Sequence, residues 1–415
     1  MPCRKHLSLG PSTKGWFLTI GATSVTADQL DVLMSHSNAL QGANRFKLGL
    51  FGLNVDNACA ITTIDGVFHP TWNNVKRLTR MADAAGFEAL VPVARWRGFG
   101  GVTNFNGACY ETFTWAAGVG GATERAAVFA TSHVPTIHPI VAAKQATTID
   151  HITGGRFALN VVCGWFEPEL EMFGATIMEH DERYAYATEW LEVMKQLWTA
   201  EEEFDYSGRY FRIRRGFHQP KPIQRPFPPI MNAGGSGVGR HFAAKYCDMI
   251  FIHIKGQDME TARKDVDEVR LLARKEYGRE IQVWANCYCV IGDTDADALK
   301  FREWYVREKG DWQAVDNLVR IMGLQSGVLP KEQLEGAKYH FIAGWGGYPL
   351  VGSPARVADD INKLASVGLD GALLSWPRYE EGLTRFIDEV MPLIQQAGLR
   401  HPASTKEAQR TTQRV

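Results

Sequence analysis

Several things are missing from these 415 residues, and each absence removes a class of protein. No charge of one sign dominates: 45 Lys and Arg stand against 46 Asp and Glu. There is thus no electrostatic case for nucleic acid or for an anionic membrane. No apolar run exceeds strand length, so nothing is long enough to span a bilayer. The basic opening MPCRKHLSLGPSTKGWFLTIG has neither a continuous apolar core nor a clear cleavage site. It reads as a tail or extension, not a secretion signal. The seven cysteines, Cys3, Cys59, Cys109, Cys163, Cys247, Cys287 and Cys289, are odd in number and contain no C-x-x-C. Neither a disulfide framework nor a zinc site is expected, and a reducing cytoplasm fits best. Cys287 and Cys289 sit two apart on a strand-like run and are expected as buried thiols in a barrel wall.

What is present is alternation. Eight strand-like apolar runs occur at 46–53, 88–94, 127–133, 156–163, 229–233, 249–254, 281–291 and 371–376. Between them lie helical patterns such as NNVKRLTRMADAAG, with apolar Val75, Leu78, Met81 and Ala82 and a closing glycine. Eight β-then-α units with continuously apolar strands predict an α/β protein, a (β/α)8 TIM barrel with insertions, over an open doubly wound sheet. Residues 1–45 are expected as an N-terminal extension, 46–400 as the barrel and 401–415 as a C-terminal tail. Residues 200–228 predict a small hairpin and a proline-rich connection. The long stretch 292–352 is expected as either a lid over the barrel mouth or an oligomer contact.

Function in such a barrel gathers at the C-terminal strand ends. After the second strand comes ARWRGFGG (94–101), with two cations, two aromatics and three glycines. The third strand ends at Thr131, Ser132 and His133; His133 and His138 read as structural, because no ligand spacing accompanies them. In the fourth, Asn160 interrupts a run that should be buried, so its amide must have partners: neighbouring backbone, or a polar ring edge inside the barrel. Arg183 and Tyr184 stand near the start of the next helix, suited to an anion. IMNAGGSGVGRH (230–241) is a strand, a glycine-rich turn and a helix start. It is not the dinucleotide fingerprint, because the sixth position counted from Gly235 is Arg240, and no G-K-[ST] follows. A turn with free N–H groups, the Ser236 hydroxyl and a helix N-terminus suits one phosphate monoester. No nucleophile elbow, H-E-x-x-H or triad order stands out, which a redox cofactor would explain.

RWRGFGG, ATTIDHITGGRFALNVVCGW, EHDERYAYATEWLEVMKQLW, MNAGGSGVGRHFAAKYCD and LVGSPARVADDINKLASVGLDGALLSW together resemble the bacterial luciferase-like flavin monooxygenases. Within that family the likeness is to the pyrimidine and dimethylsulfone monooxygenase branch. The resemblance implies reduced FMN supplied by a separate NAD(P)H:flavin reductase, with O2 and a small organic substrate as reactants. By position, Ala94 and Arg95 would lie against the flavin, with Asn160 at the polar edge of its ring. Thr131 would sit beside the ring nitrogen where oxygen reacts. Glu169 would be a further flavin contact, and Arg183, Tyr184 and Ser236 would hold the phosphate. Cys163 stands where close relatives often carry Thr or Ser. Thr131 and Asn160 are the expected catalytic residues, no metal is expected, and the family's habit implies a homo-dimer or tetramer. Trp96, Phe99, Phe105, Trp165, Phe166 and Trp345 suggest an apolar, ring-sized pocket. Arg95 and Arg97 allow an anionic or carbonyl-bearing group. The nitrogen heterocycles, sulfones and related compounds of the branch are the substrates to expect. The rivals are a deazaflavin- or FMN-dependent hydride-transfer enzyme, a non-catalytic flavin-binding protein, and a sugar-phosphate barrel. The last lacks a paired acid and base or a Schiff-base lysine at a strand end.

Overall fold

The computed structural model describes residues 38–254, 258–324 and 330–402, with two three-residue strands, Leu18–Ile20 and Thr23–Val25. Cys3, most of the 1–45 extension and most of the 401–415 tail lie outside the described residues. Eight parallel strands form the barrel: β1 Lys47–Phe51, β2 Ala89–Val91, β3 Ala127–His133, β4 Phe157–Val162, β5 Ile230–Asn232, β6 Met249–Ile252, β7 Gln282–Ile291 and β8 Gly371–Ser375. Each strand pairs with the next, and β8 returns to β1 through Gly371 and Lys47. All eight expected runs hold a barrel strand, each shorter than its apolar run except β3.

The strands are apolar throughout because both faces are covered. Phe51, Ala89, Val91, Phe129, Met231, Phe251, Trp284 and Leu373 point inward as one buried cluster. The alternate residues, among them Leu48, Leu90, Val128, Leu159 and Ile250, face the outer helices in another. That period of two sets which way each polar residue faces. Thr131 and Asn160 fall on inward positions, and strand register places them side by side. Gly49 is small for a packing reason: a Cβ there would run into the Leu373 side chain.

The outer helices are α1 Trp72–Ala84, α2 Thr112–Gly120, α3 Pro139–Thr153, α4 His180–Thr199, α5 Gly237–Tyr246, α6 Met259–Tyr277, α7 Pro354–Ser366 and α8, which runs from Tyr379 to Gln396. Side-chain caps open several of them, for example Thr71 on α1 and Asp258 on α6. At the N-terminal end of the barrel, residues 38–45 pack against the barrel itself: Leu40 joins its inner cluster, and Gln282 donates to the Leu40 carbonyl at 2.8 Å. Arg400 closes the same end, donating to Glu88 at 2.8 Å with both side chains buried.

The hairpin expected in 200–228 is present as Phe204–Ser207 paired with Arg212–Gly216. The stretch 292–352 folds as helices Asp295–Glu303, Trp312–Ile321 and Lys331–Gly344 and a strand, Tyr348–Gly352. That strand lies parallel to the second half of β7, from Cys287↔Tyr348 to Ile291↔Gly352. Helix and strand were not legible in YHFIAGWGGYPLVG, because its apolar residues follow neither period for long. β7, ten residues long, outruns its barrel neighbours and needs this extra partner. Helix Lys331–Gly344 sits so close to β7 that a Cβ on Gly344 would strike Tyr288.

Candidate active site

The C-terminal strand ends enclose a cavity of about 990 Å3. Phe51, Met231, Phe251 and Leu373, from the inward layer, form its base. Seven of the eight expected site residues, Ala94, Arg95, Thr131, Asn160, Arg183, Tyr184 and Ser236, line it. The stretch 292–352 supplies a further wall through residues such as His340, Phe341 and Trp345.

At the centre, one chain of hydrogen bonds fixes orientation. The Pro92 carbonyl can only accept, so the Thr131 hydroxyl donates to it, at 2.6 Å. Thr131 Oγ1 can then only accept from Asn160, and Asn160 Nδ2 donates to it at 3.2 Å. The remaining atom, Asn160 Oδ1, is buried and has no protein partner. Strand geometry and one carbonyl thus leave the Asn160 Oδ1 acceptor for whatever fills the cavity.

At one end sits an anion grip. Asn232 donates to the Val161 carbonyl at 2.7 Å and accepts from Gly234 N at 2.8 Å, which shapes the turn after β5. Ser236 caps α5, accepting from Gly239 N at 3.1 Å. A Cβ on Gly235 or Gly237 would meet nothing within 4 Å, so the turn borders open space. The first amides of α5 carry the helix's positive end. Arg183 and Tyr184 arrive from α4. Arg183 Nη1 donates to the Gly164 carbonyl at 2.7 Å while its buried Nε lacks a protein partner. Burial raises the Tyr184 phenol pKa above its ordinary value, opposed by the nearby Ser236 hydroxyl. Cys163 lines the same end; burial, opposed by Arg183, pushes its thiol up to about 12, so it is an uncharged group.

Glu169 behaves differently from the others: it does not line the cavity. It is fully buried behind it, on the short helix Glu167–Met172. Its Oε1 accepts from Arg95 Nη1 at 3.2 Å and from the amides of Trp96 and Arg97 at 2.6 and 3.3 Å. Its Oε2 lies 3.2 Å from His133 Nδ1. Burial pushes this carboxyl up, but His133, the Arg95 charge and the Trp96 amide outweigh it and hold it below the ordinary range. Arg95 is buried too, its guanidinium 4.8 Å from the Phe99 ring and 5.2 Å from the Phe166 ring. Its charge is therefore matched by Glu169 and sheathed in aromatics.

Of the six aromatics expected in the pocket, Trp165 and Trp345 line it. Phe99, Phe105 and Phe166 stack behind as a buried wall, and Trp96 is exposed outside against Phe173. Arg97 is exposed and not on the cavity lining. Sequence reasoning passed over two lining polar residues, Asn232 and His253, and read a third, His133, as structural. Asn232 carries the same signal as Asn160, an amide in a buried strand. His253 and His340 both present rings to the cavity, and burial depresses both imidazoles below the ordinary value. No group of three or more His, Cys, Asp or Glu side chains that could hold a metal occurs among the described residues, and no described helix is long and apolar enough to cross a membrane.

Fold and site together define a class: a (β/α)8-barrel enzyme whose strand-end cavity joins an anion grip to a hydrogen-bonding floor and an aromatic wall. Comparison with known proteins narrows it. The family model for luciferase-like monooxygenases matches residues 49–371. A pyrimidine monooxygenase of Bradyrhizobium sp. is 32% identical over 358 residues, 84% of this chain and 96% of that protein. An FMNH2-dependent dimethylsulfone monooxygenase of Pseudomonas putida is 30% identical over 326 residues, 77% of this chain and 87% of that one. Among solved structures, a riboflavin lyase with modified FMN and riboflavin superposes with a TM-score of 0.77. It is 21% identical, over 86% of this chain and 93% of that one, a likeness of fold. The chain belongs to the luciferase-like monooxygenase family. It is a flavin-dependent monooxygenase, an enzyme that uses reduced flavin and O2 to oxygenate a small organic substrate.

Proposed function

We propose that the chain binds reduced FMN in this cavity, receives it from a separate NAD(P)H:flavin reductase, and oxygenates a small uncharged compound such as a nitrogen heterocycle or a sulfone. The observation that carries this reading is the Pro92–Thr131–Asn160 chain, which leaves Asn160 Oδ1 as a buried acceptor without a protein partner. A reduced isoalloxazine edge offers N–H donors, and a buried acceptor needs one. The grip of Ser236, Arg183 and Tyr184 at the start of α5 suits the ribityl phosphate. Ala94 and Arg95 would border the ring. Glu169 acts from behind them, by holding Arg95 and the Trp96 amide in place. Bound reduced flavin supplies the two electrons that activate O2.

The chain's own contribution is to bind, orient and exclude water. Among the described lining residues Arg95 is paired with Glu169 and Arg183 belongs to the phosphate grip, while burial disfavours the charged form of His253 and His340. That favours an uncharged substrate against the apolar wall of Phe341 and Trp345. The unpaired thiols among the described residues fit a reducing cytoplasm. The test has two arms. FMN should bind at least tenfold tighter than riboflavin, because only FMN reaches the grip; equal affinities would remove the phosphate assignment. With reduced FMN, a panel of uracil-like, sulfone and sulfonate compounds should yield products one oxygen heavier by mass for the uncharged members. Turnover confined to sulfonates would overturn the substrate reading.

A further inference from the structure

A second, smaller chamber of about 160 Å3 lies behind the active-site cavity. The two share Ala94, Arg95, Thr131 and His133 as their partition. The small chamber reaches the surface beside the exposed Trp96, Tyr110 and Phe173. Inside it stand two buried polar atoms with no protein partner, Ser132 Oγ and Gln145 Oε1. Such atoms require water. The carboxylate on its lining, Glu111, is already used, accepting from Phe113 N and Thr114 N at the start of α2.

His133 belongs to both spaces, and its ring is oriented. Nδ1 is 3.2 Å from Glu169 Oε2, a buried oxygen to which no hydrogen bond is otherwise made and which His133 approaches as an ion-pair contact. Glu169 is in turn fixed by Arg95 and two backbone amides. An ionised carboxylate at that distance keeps the proton on Nδ1, so Nε2, at the far edge of the ring, carries the free lone pair. No described hydrogen bond occupies Nε2.

Resting on the flavin-monooxygenase reading, we propose that His133, oriented by Glu169, is the proton-transfer residue of this active site, and that the small chamber is its water-filled route to solvent. The bookkeeping of atoms is simple. One atom of O2 enters the substrate; the other leaves as water, and its two protons balance those released when reduced flavin becomes oxidised. Nε2 takes one such proton and hands it to the departing oxygen. Exchange through the chamber resets the ring. A positioned imidazole of this kind contributes roughly 10²–10⁴-fold to rate.

The experiment combines a measurement without flavin and one with it. In wild-type protein labelled with 15N-histidine and free of flavin, the neutral His133 ring should carry its proton on Nδ1, and Glu169→Gln should disturb that preference. An Nε2–H tautomer in the wild type would overturn the proposal. For turnover, His133→Ala should lose about 10²-fold or more in kcat while binding FMN within about twofold of wild type, and added imidazole should restore at least tenfold of the loss. Wild-type kcat in His133→Ala, or a loss that tracks FMN affinity and that imidazole does not rescue, overturns it. Wild-type protein that binds no FMN defeats the flavin reading alone; the tautomer measurement still decides the His133–Glu169 arrangement.

Discussion

A single residue's role here depends on what its neighbours have already claimed. Asn160 is available to a ligand because Thr131 takes its amide hydrogen and Pro92 takes the Thr131 proton. Asn160→Ala removes the acceptor itself. Thr131→Ala acts one step back, by freeing the amide to rotate. Both are expected to lower oxygenated product per reduced FMN, Asn160→Ala by about 10²-fold in kcat, with Thr131→Ser restoring most of the Thr131→Ala loss. Product per reduced FMN by mass checks this; wild-type coupling in both alanine variants would exclude the pair from the mechanism. Glu169 obeys the same logic. Replacing it with Gln leaves a buried Arg95 without its counter-charge, a change that costs about 3–5 kcal/mol of stability, measured by denaturant unfolding at neutral pH. The sign with pH follows. The carboxyl is held below its ordinary 4.5 in the folded protein, so its contribution is complete above that value and is lost as pH falls through the folded one. The gap between wild type and Glu169→Gln should therefore narrow below about pH 4.5.

At the scale of elements, the grip is a property of where α5 begins. Its tight entry depends on Gly239, where a Cβ would come within 2.5 Å of the Tyr184 hydroxyl and 2.8 Å of Gly234 Cα. Gly239→Ala is expected to push the turn away from α4 and weaken FMN binding about tenfold, equivalent to about 1.4 kcal/mol. Gly237→Ala, open on all sides, should leave the fold intact. Fluorescence titration with FMN compares them; equal affinity in Gly239→Ala and wild type would show that α5 does not set the grip. The turn's place was legible in IMNAGGSGVGRH, since strand, glycines and helix start are local features. That α4 delivers Arg183 and Tyr184 to the same point is no local feature, because it depends on how two helices pack; only the family resemblance led to that expectation.

For the whole molecule, ligand binding and folding are linked. If FMN occupies a cavity built by most of the strand ends, it should stabilise the entire barrel. At a hundredfold excess over its dissociation constant the gain is about 2.7 kcal/mol, read as a rise in melting temperature. Riboflavin at the same concentration should give a smaller rise, and an unchanged melting temperature with FMN would mean that the cavity does not hold it.

The barrel was legible because its strands are buried on both faces and so read as continuous apolar runs, set apart by capped amphipathic helices. Asn160 was legible as a candidate because a polar residue in such a run needs a reason, whereas Thr131 was a candidate only through the family resemblance. Period and burial are local consequences of the sequence. The tertiary structure alone decided who meets whom: that Glu169 stands behind the cavity wall and not on it, that Arg95 spends its charge there, that 292–352 forms a wall of the site, and that His133 faces two chambers at once. Those facts depend on strand register and on contacts across tens to hundreds of residues, where the chain's order carries no direct record of distance.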